Sequence, residues 1–443
     1  MLLDSRKPSQ RERLLEAMTY VASREGYAQM SIAHLTTRAG VSRQTFYECF
    51  AVKEDCFLAA YQLAARETLG QMRQAMGIGD WWETPPTVLR ALLAEIESDP
   101  QTAWLFFVEG MAGGSRVRRH RNDVLNAFER LTEGFLDSAP ADGLTLDIPP
   151  IALLGAIRMI TFYYLSGNSA DRLPEAVDDL VTWIRAYAAP ARRPRWSTGP
   201  HAVLSELSFP GSGRQPVPIL RRPDPLPRGR HTLPASAVAR NHRERIMHAT
   251  AEVATAKGYV EMTVGDIVAA AGIAKDVFYN HFRDKQRAFL ATQQHGLKEA
   301  FSACANSYFA GDGWPERIYN GLRMLTTLTA REPTLAHLRM VEPYAAGADA
   351  VERMQGMIAS FAVFLEEGYK YRPAAEALPH VCSDAIAGAV FEIMRREIAA
   401  NSAVGVPRHL PQLAYTAIAP FAGPEEAATL VEGLIAKHPP SLS

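Results

Sequence analysis

The chain runs to 443 residues, too long for one ordinary core and suited to about two to four domains. Its 47 basic and 48 acidic residues leave a formal charge of -1, so attraction to a polyanion has to come from local patches. The four cysteines form no C-x-x-C pair, which argues against a disulfide framework or a zinc site, and no stretch reads as a signal peptide or a membrane span. A cytoplasmic globular protein without a metal or cofactor is expected.

The first element read from the N-terminus is an amphipathic helix over residues 9–25, with Leu14, Met18 and Val21 on one face and Gly26 as its stop. Ser31 is placed to cap a short second helix, IAHLTTRA, by accepting from a backbone N–H of its first turn. Gly40 makes a tight turn, and Ser42 caps a third helix, RQTFYECF. Helix, short helix, glycine turn and short helix is the helix-turn-helix plan, whose last helix lies in a DNA major groove.

On that last helix Phe46 and Phe50, four apart, share a face suited to packing on the first helix. Arg43, Gln44 and Thr45 occupy its N-terminal end, where side chains reach base edges. An arginine can bridge guanine O6 and N7, a glutamine can pair with adenine, and a threonine methyl can touch thymine. Tyr47 and Lys53 are expected at phosphates, which set register without reading sequence. The capping residue Ser31 belongs to the same candidate surface.

Helical periodicity then continues almost without interruption (Val88, Leu92, Ile96; Val124, Phe128, Leu131), and the class is all-α. Trp104, Phe107, Met111, Phe128, Met159 and Phe162 are candidates for an effector pocket in this helical stretch. The basic run Arg116–Arg121 reads as a solvated face. Residues 190–238 are rich in proline and arginine, with only Glu206 and Asp224 acidic, and read as a linker. Within it Pro227-Arg228-Gly229-Arg230 resembles the core of an AT-hook, which makes Arg228 and Arg230 candidates for a minor-groove arm.

Beyond the linker the plan repeats. An offset of 232, Tyr279 against Tyr47, aligns residues 11–61 with 243–293 without a gap, with about a third of positions identical. Weaker matches follow, such as Pro100 with Pro333, Val108-Glu109 with Val341-Glu342, and Gly155-Ala156 with Gly388-Ala389. The whole unit was copied. In the second copy Thr263 takes the place of Ser31, and Lys275, Asp276 and Val277 stand where the first has Arg43, Gln44 and Thr45. Tyr279 and Lys285 match Tyr47 and Lys53, while Ala274 replaces the capping Ser42. Met340, Tyr344, Met357, Phe361 and Met394 are the pocket candidates of this copy.

Both copies resemble the DNA-binding domain of the tetracycline-repressor (TetR) family. The residues that carry the resemblance are Gly26-Tyr27, Ser31, Ala39-Gly40-Val41-Ser42, Phe46-Tyr47, Phe50 and Lys53, with Gly258-Tyr259, Thr263, Ala271-Gly272-Ile273, Phe278-Tyr279, Phe282 and Lys285 in the second copy. The resemblance implies a helical effector and dimerisation domain after each such segment. It also implies a ligand that shifts the helix leading out of the DNA-binding domain, over 53 to about 74 or 285 to about 309.

The expected organisation is therefore two tandem units: DNA-binding domains over 1–60 and 239–292, helical domains over 61–189 and 293–437, and the linker over 190–238. Because one chain carries both heads, an intramolecular pseudo-dimer is expected. Its four-helix bundle would come from residues 149–166, 173–188, 379–399 and 409–437, and association of two chains is left open. Unlike reading residues imply an asymmetric operator in double-stranded DNA. The expected effector is a small apolar or aromatic molecule and the expected activity that of a ligand-responsive repressor. The competing reading is a ligand-binding or interaction protein with one or both heads vestigial. No P-loop, G-x-G-x-x-G, H-E-x-x-H or G-x-S-x-G motif supports an enzyme.

Overall fold

The computed structural model describes residues 8–27, 29–77, 80–113, 115–140, 143–167, 170–190, 220, 222–224, 226, 233–400 and 403–439. Most of the linker, Arg228 and Arg230 included, lies outside the described residues. In chain order the helices are α1 (Gln10–Glu25), α2 (Ile32–Ala39), α3 (Arg43–Cys49), α4 (Lys53–Met76), α5 (Thr84–Ser98), α6 (Pro100–Phe107), α7 (Ser115–Asp137), α8 (Pro150–Ser166) and α9 (Ala176–Arg185). After the linker come α10 (Ala235–Lys257), α11 (Val264–Ala271), α12 (Lys275–His281), α13 (Lys285–Gln294), α14 (Leu297–Phe309), α15 (Trp314–Arg331), α16 (Pro333–Met340), α17 (Pro343–Ala346), α18 (Ala348–Ala362), α19 (Val381–Ala400), α20 (Leu410–Ala422) and α21 (Pro424–Lys437). Short 3-10 turns join several of them. The fold is all-α and repeats one plan twice.

Packing divides the chain into two units whose borders differ from those of the sequence copies. The first holds the described residues up to Pro140 together with Ile157–Thr182; the second holds those of 141–156 and everything from Trp183 onward. A stretch of the first copy is thus built into the second unit. There Leu144–Leu146 (β1) pairs antiparallel with Ala188–Pro190 (β2), Leu144 opposite Pro190. Three residues a strand are too few to show a period of two, which is why the sequence gives no sign of this ladder.

In the first unit α1 begins with a reciprocal cap: the Ser9 Oγ accepts from the Glu12 N–H at 3.2 Å, and the Glu12 carboxylate accepts from the Ser9 N–H at 2.6 Å. Its apolar stripe, Leu14, Met18 and Val21, is buried together with Phe46, Phe50 and Phe57. The second unit buries the matching set, with Ile246, Phe278, Phe282 and Phe289 in one cluster that continues into Leu335 and Leu338 of α16.

Two expected helices are each found as a pair. The exit helix of the second copy, expected over 285–309, breaks between α13 and α14 at His295-Gly296, where Gly296 takes the left-handed conformation (φ +69°). Its counterparts in the first copy are Leu63-Ala64, and α4 runs through them unbroken. The last expected helix, 409–437, is divided into α20 and α21 by Gly423 (φ +89°) and Pro424. The expected helix over 173–188 shortens to α9 with a 3-10 turn before it.

Candidate nucleic-acid interface and effector cavity

Each reading helix is held by its apolar side, and that leaves the other side outward. Phe46 is fully buried and Phe50 nearly so, their rings 6.0 Å apart; Phe278 and Phe282 repeat this at 6.0 Å. Burying such a ring contributes about 2–3 kcal/mol, so the rotation of α3 and α12 about their axes is fixed by packing. Arg11 stacks over Phe50 at 4.8 Å and Arg243 over Phe282 at 4.6 Å, closing the seam between first and third helices.

The turns are made alike. Gly40 (φ +61°) and Gly272 (φ +63°) adopt the left-handed conformation that ends α2 and α11. Ser31 and Thr263 cap those helices, accepting from the His34 N–H at 3.3 Å and the Asp266 N–H at 3.2 Å. Ser42 caps α3 through the Thr45 N–H at 3.0 Å and also meets the Thr45 Oγ1 at 2.9 Å. Ala274 leaves α12 with no side-chain cap. A further contact is kept with its residue types exchanged: Glu25 with His34 at 2.6 Å in one copy, Lys257 with Asp266 in the other. The Lys257 ammonium holds the Asp266 carboxyl down to about 2.

Outward, Arg43 and Gln44 are exposed on α3, Lys275 and Asp276 on α12, and Tyr47 and Tyr279 stand 48% and 51% exposed. Thr45 and Val277 are half-buried, with the Thr45 hydroxyl engaged by the cap. Glu48, which the sequence reading passed over, shares the exposed face and accepts from Gln44 Nε2 at 3.0 Å; its counterpart is Asn280. This bond uses one of the two Nε2 hydrogens of Gln44 and leaves the other, with Oε1, for a base edge.

Lys53 and Lys285 depart from expectation. The Lys53 ammonium donates to the carbonyls of Tyr27 (3.0 Å) and Met30 (2.9 Å) and sits 4.4 Å from the centre of the Tyr27 ring. Lys285 donates to the carbonyls of Tyr259 (3.0 Å), Val260 (3.3 Å) and Met262 (2.9 Å), which occupies all three of its donors. Burial lowers both ammonium pKa values. These lysines tie the loop before the second helix to the start of the exit helix, where loop carbonyls would otherwise lack donors.

The same loop is held from the effector side. In the first unit Glu109 Oε2 accepts from the Tyr27 N–H at 2.8 Å and Oε1 from the Trp104 indole N–H at 3.3 Å. Burial pushes the Glu109 carboxyl up to about 7, against the pull of these two donors. In the second unit Glu342, 2% exposed by side chain, accepts from the Tyr259 N–H at 2.7 Å and lies 3.1 Å from His337 Nε2. Trp104 and His337 are counterparts, so each copy latches its DNA-binding head to the turn after α6 or α16 through one buried carboxylate. Alignment of the copies pairs the two glutamates without showing this role; a carboxylate in an otherwise apolar stretch is the available signal.

The second unit also encloses an apolar cavity of about 150 Å³, walled by residues of α14–α16, α18 and α19. It brings together Met340, Met357, Phe361 and Met394 of the five candidates; Tyr344 is buried off its wall. Glu332 and Arg339 are its charged lining residues. Arg339 donates through Nε to the Gln293 carbonyl at 3.1 Å and through Nη2 to the His295 carbonyl, so it holds the break between α13 and α14. Burial pushes its pKa down to about 10.

In the first unit Phe107, Met111, Phe128 and Met159 are buried. Trp104 lies against Phe162 with ring centres 5.7 Å apart. Of the basic run, Arg116 pairs with Asp55 at 2.9 Å, but Arg121 is buried, with Nη1 against Met111 Sδ at 2.6 Å. The solvated-face reading therefore fails at Arg121, whose place on α7 turns it inward. Among the described residues no group of His, Cys, Asp and Glu could hold a metal ion, and no helix is long and apolar enough to cross a membrane.

Among curated proteins no match to the chain is found. Among solved structures the chain is similar to the fatty acid degradation regulator FadR from Bacillus halodurans (17% identity, 41% of this chain and 96% of that one, TM-score 0.36). It is also similar to a TetR family transcription regulator from Marinobacter aquaeolei VT8 (17%, 42% and 97%, TM-score 0.34). A third likeness is to the transcriptional regulator FadR from Bacillus subtilis, in complex with stearoyl-CoA (16%, 39% and 96%, TM-score 0.32). Scores this low establish no shared ligand. The family described as bacterial regulatory proteins, tetR family, matches residues 14–60 and again residues 246–292, the two segments built above. The chain thus carries two tetR-family DNA-binding domains in tandem, which supports a DNA-binding transcriptional regulator.

Proposed function

We propose that the chain is a ligand-responsive repressor that reads an asymmetric operator with two unlike heads of one molecule. The observation that carries this reading is the pair of exposed helix ends. One scaffold presents Arg43 and Gln44 in the first copy and Lys275 and Asp276 in the second. Arginine and glutamine favour guanine and adenine edges; Asp276 faces the phosphates unfavourably unless it accepts from a cytosine N4. The absent cap of α12 makes the second head the weaker hand.

An intramolecular pseudo-dimer is supported by packing inside the second unit. Gly155, from the first copy, lies so near α19 that an added Cβ would stand 2.5 Å from the Gly388 carbonyl oxygen and 2.6 Å from Glu392 Cβ. Tyr187, also from the first copy, donates its hydroxyl to the Thr416 carbonyl at 2.7 Å. The cavity supports an effector of modest size. A dry space of about 150 Å³ lined by Met and Phe accepts a single aromatic ring or a short aliphatic chain. Two donors of Arg339 are already committed to carbonyls and Glu332 lines the same space, which favours an uncharged occupant.

Gel-shift titration against chromosomal fragments at two salt concentrations tests the reading. Retention of a discrete fragment at the higher salt is expected. Binding that is equal for all fragments and vanishes with salt contradicts it.

A further inference from the structure

The linker, read from sequence as a spacer, has a described segment that is built into the second unit. Leu220 is 6% exposed and belongs to the apolar cluster that joins Ile246 and Phe278 of the reading head to Leu335 and Leu338 of α16. Its backbone N–H donates to Glu332 Oε1 at 3.4 Å, and Glu332 lines the effector cavity. Two residues on, Arg222 Nη2 donates to the Ala270 carbonyl at 3.0 Å, at the C-terminal end of α11 and just before the Gly272 turn that leads to α12. The Asp224 carbonyl accepts from Asn241 Nδ2 at 3.0 Å.

Asn241 lies on a part of the first helix that the other copy does not match. The counterpart of Gln10, where α1 begins, is His242, whereas α10 begins at Ala235. This extension of α10 supplies the clasp for the linker. A solvated spacer would show an exposed apolar side chain and backbone groups bonded to water. Here one short stretch touches three structures that an effector response has to connect: the cavity wall at Glu332, the core beneath the reading helix at Leu220, and the helix-turn-helix elbow at Arg222.

We propose that Leu220, Arg222 and Asp224 act as a strap through which the second cavity acts on the second reading head. The proposal rests on the effector reading of that cavity. An occupant that displaces Glu332 withdraws the acceptor of the Leu220 N–H. Leu220 then shifts within the apolar cluster it shares with Ile246 and Phe278, and Arg222 against the end of α11. The fused chain thereby turns the connection between its copies into a working part, and it makes the two heads respond unequally.

Amide hydrogen exchange on the full-length chain, with benzene as the probe, tests this. Without probe, Leu220→Ala and Arg222→Ala should each raise exchange over residues 264–281 by about threefold or more and leave 32–49 unchanged. With benzene bound to the unaltered chain, exchange over 264–281 should change by a similar factor. In both variants benzene should still bind, but the change over 264–281 should be lost. Arg222 is exposed, so its variant keeps the test open if Leu220→Ala fails to fold. Unaltered exchange in the probe-free variants, or a benzene response that survives both substitutions, overturns the strap. Benzene that does not bind overturns the link to the cavity, while the probe-free arm still decides whether the segment braces the head. Loss of operator binding by the unaltered chain would instead sink the regulator reading and leave the exchange result standing.

Discussion

At Glu109 a carboxyl group is buried, and its two donors do not fully offset the loss of hydration: burial raises its pKa from 4.5 to about 7. A carboxyl raised in this way binds more protons in the folded chain than in the unfolded one. Its stabilising share is present below about pH 4.5 and is lost as pH rises through about 7, at most about 3 kcal/mol. Thermal unfolding between pH 5 and 8 should show the first unit losing stability as pH rises, with a flatter profile in Glu109→Gln. Equal slopes would contradict the assignment. At the reading surface, Arg43→Ala should cost about 1–3 kcal/mol at one half-site only, and Lys275→Ala should do so at the other. Footprinting resolves the two, and uniform weakening at both half-sites would mean phosphate contact alone. The caps and buried aromatics of both heads were legible in sequence because each depends on neighbours three or four residues away. The employment of Lys53 and Lys285 was not, since their carbonyl partners lie 23 to 26 residues distant and only the fold brings them near.

Helices make the two copies differ more than their residues suggest. The exit helix of the first copy is continuous; that of the second is broken at Gly296 and held by Arg339 from the cavity wall. A single glycine inside a helical pattern does not announce a break, because the decisive donor comes from another helix. Gly296→Ala should destabilise the chain by about 1–2 kcal/mol in urea unfolding, since alanine resists the left-handed conformation. An unchanged midpoint would show that the break relaxes without cost. Gly155→Val addresses the other close approach: with backbone and Glu392 Cβ in the way, it should destabilise by about 1–3 kcal/mol. The sequence marked Gly155 and Gly388 as small residues in matching places, but it could not say that they face each other.

For the molecule as a whole, the proposed pseudo-dimer replaces association by tethering. Two heads on one chain have an effective concentration near the millimolar range, so operator affinity should not fall on dilution of the protein as it does for a separable pair. The duplication was legible because similarity between copies needs no knowledge of packing. The incorporation of 143–156 and of Leu220 into the second unit was not, because it depends on contacts between parts of the chain far apart in sequence. Selection of bound sites from a random DNA pool by the full-length chain, read together with the mass of the complex, bears on the whole account. It predicts one chain on two unlike half-sites roughly one helical turn, about 34 Å, apart. Enrichment of a perfect palindrome, or two chains on each selected site, would contradict it.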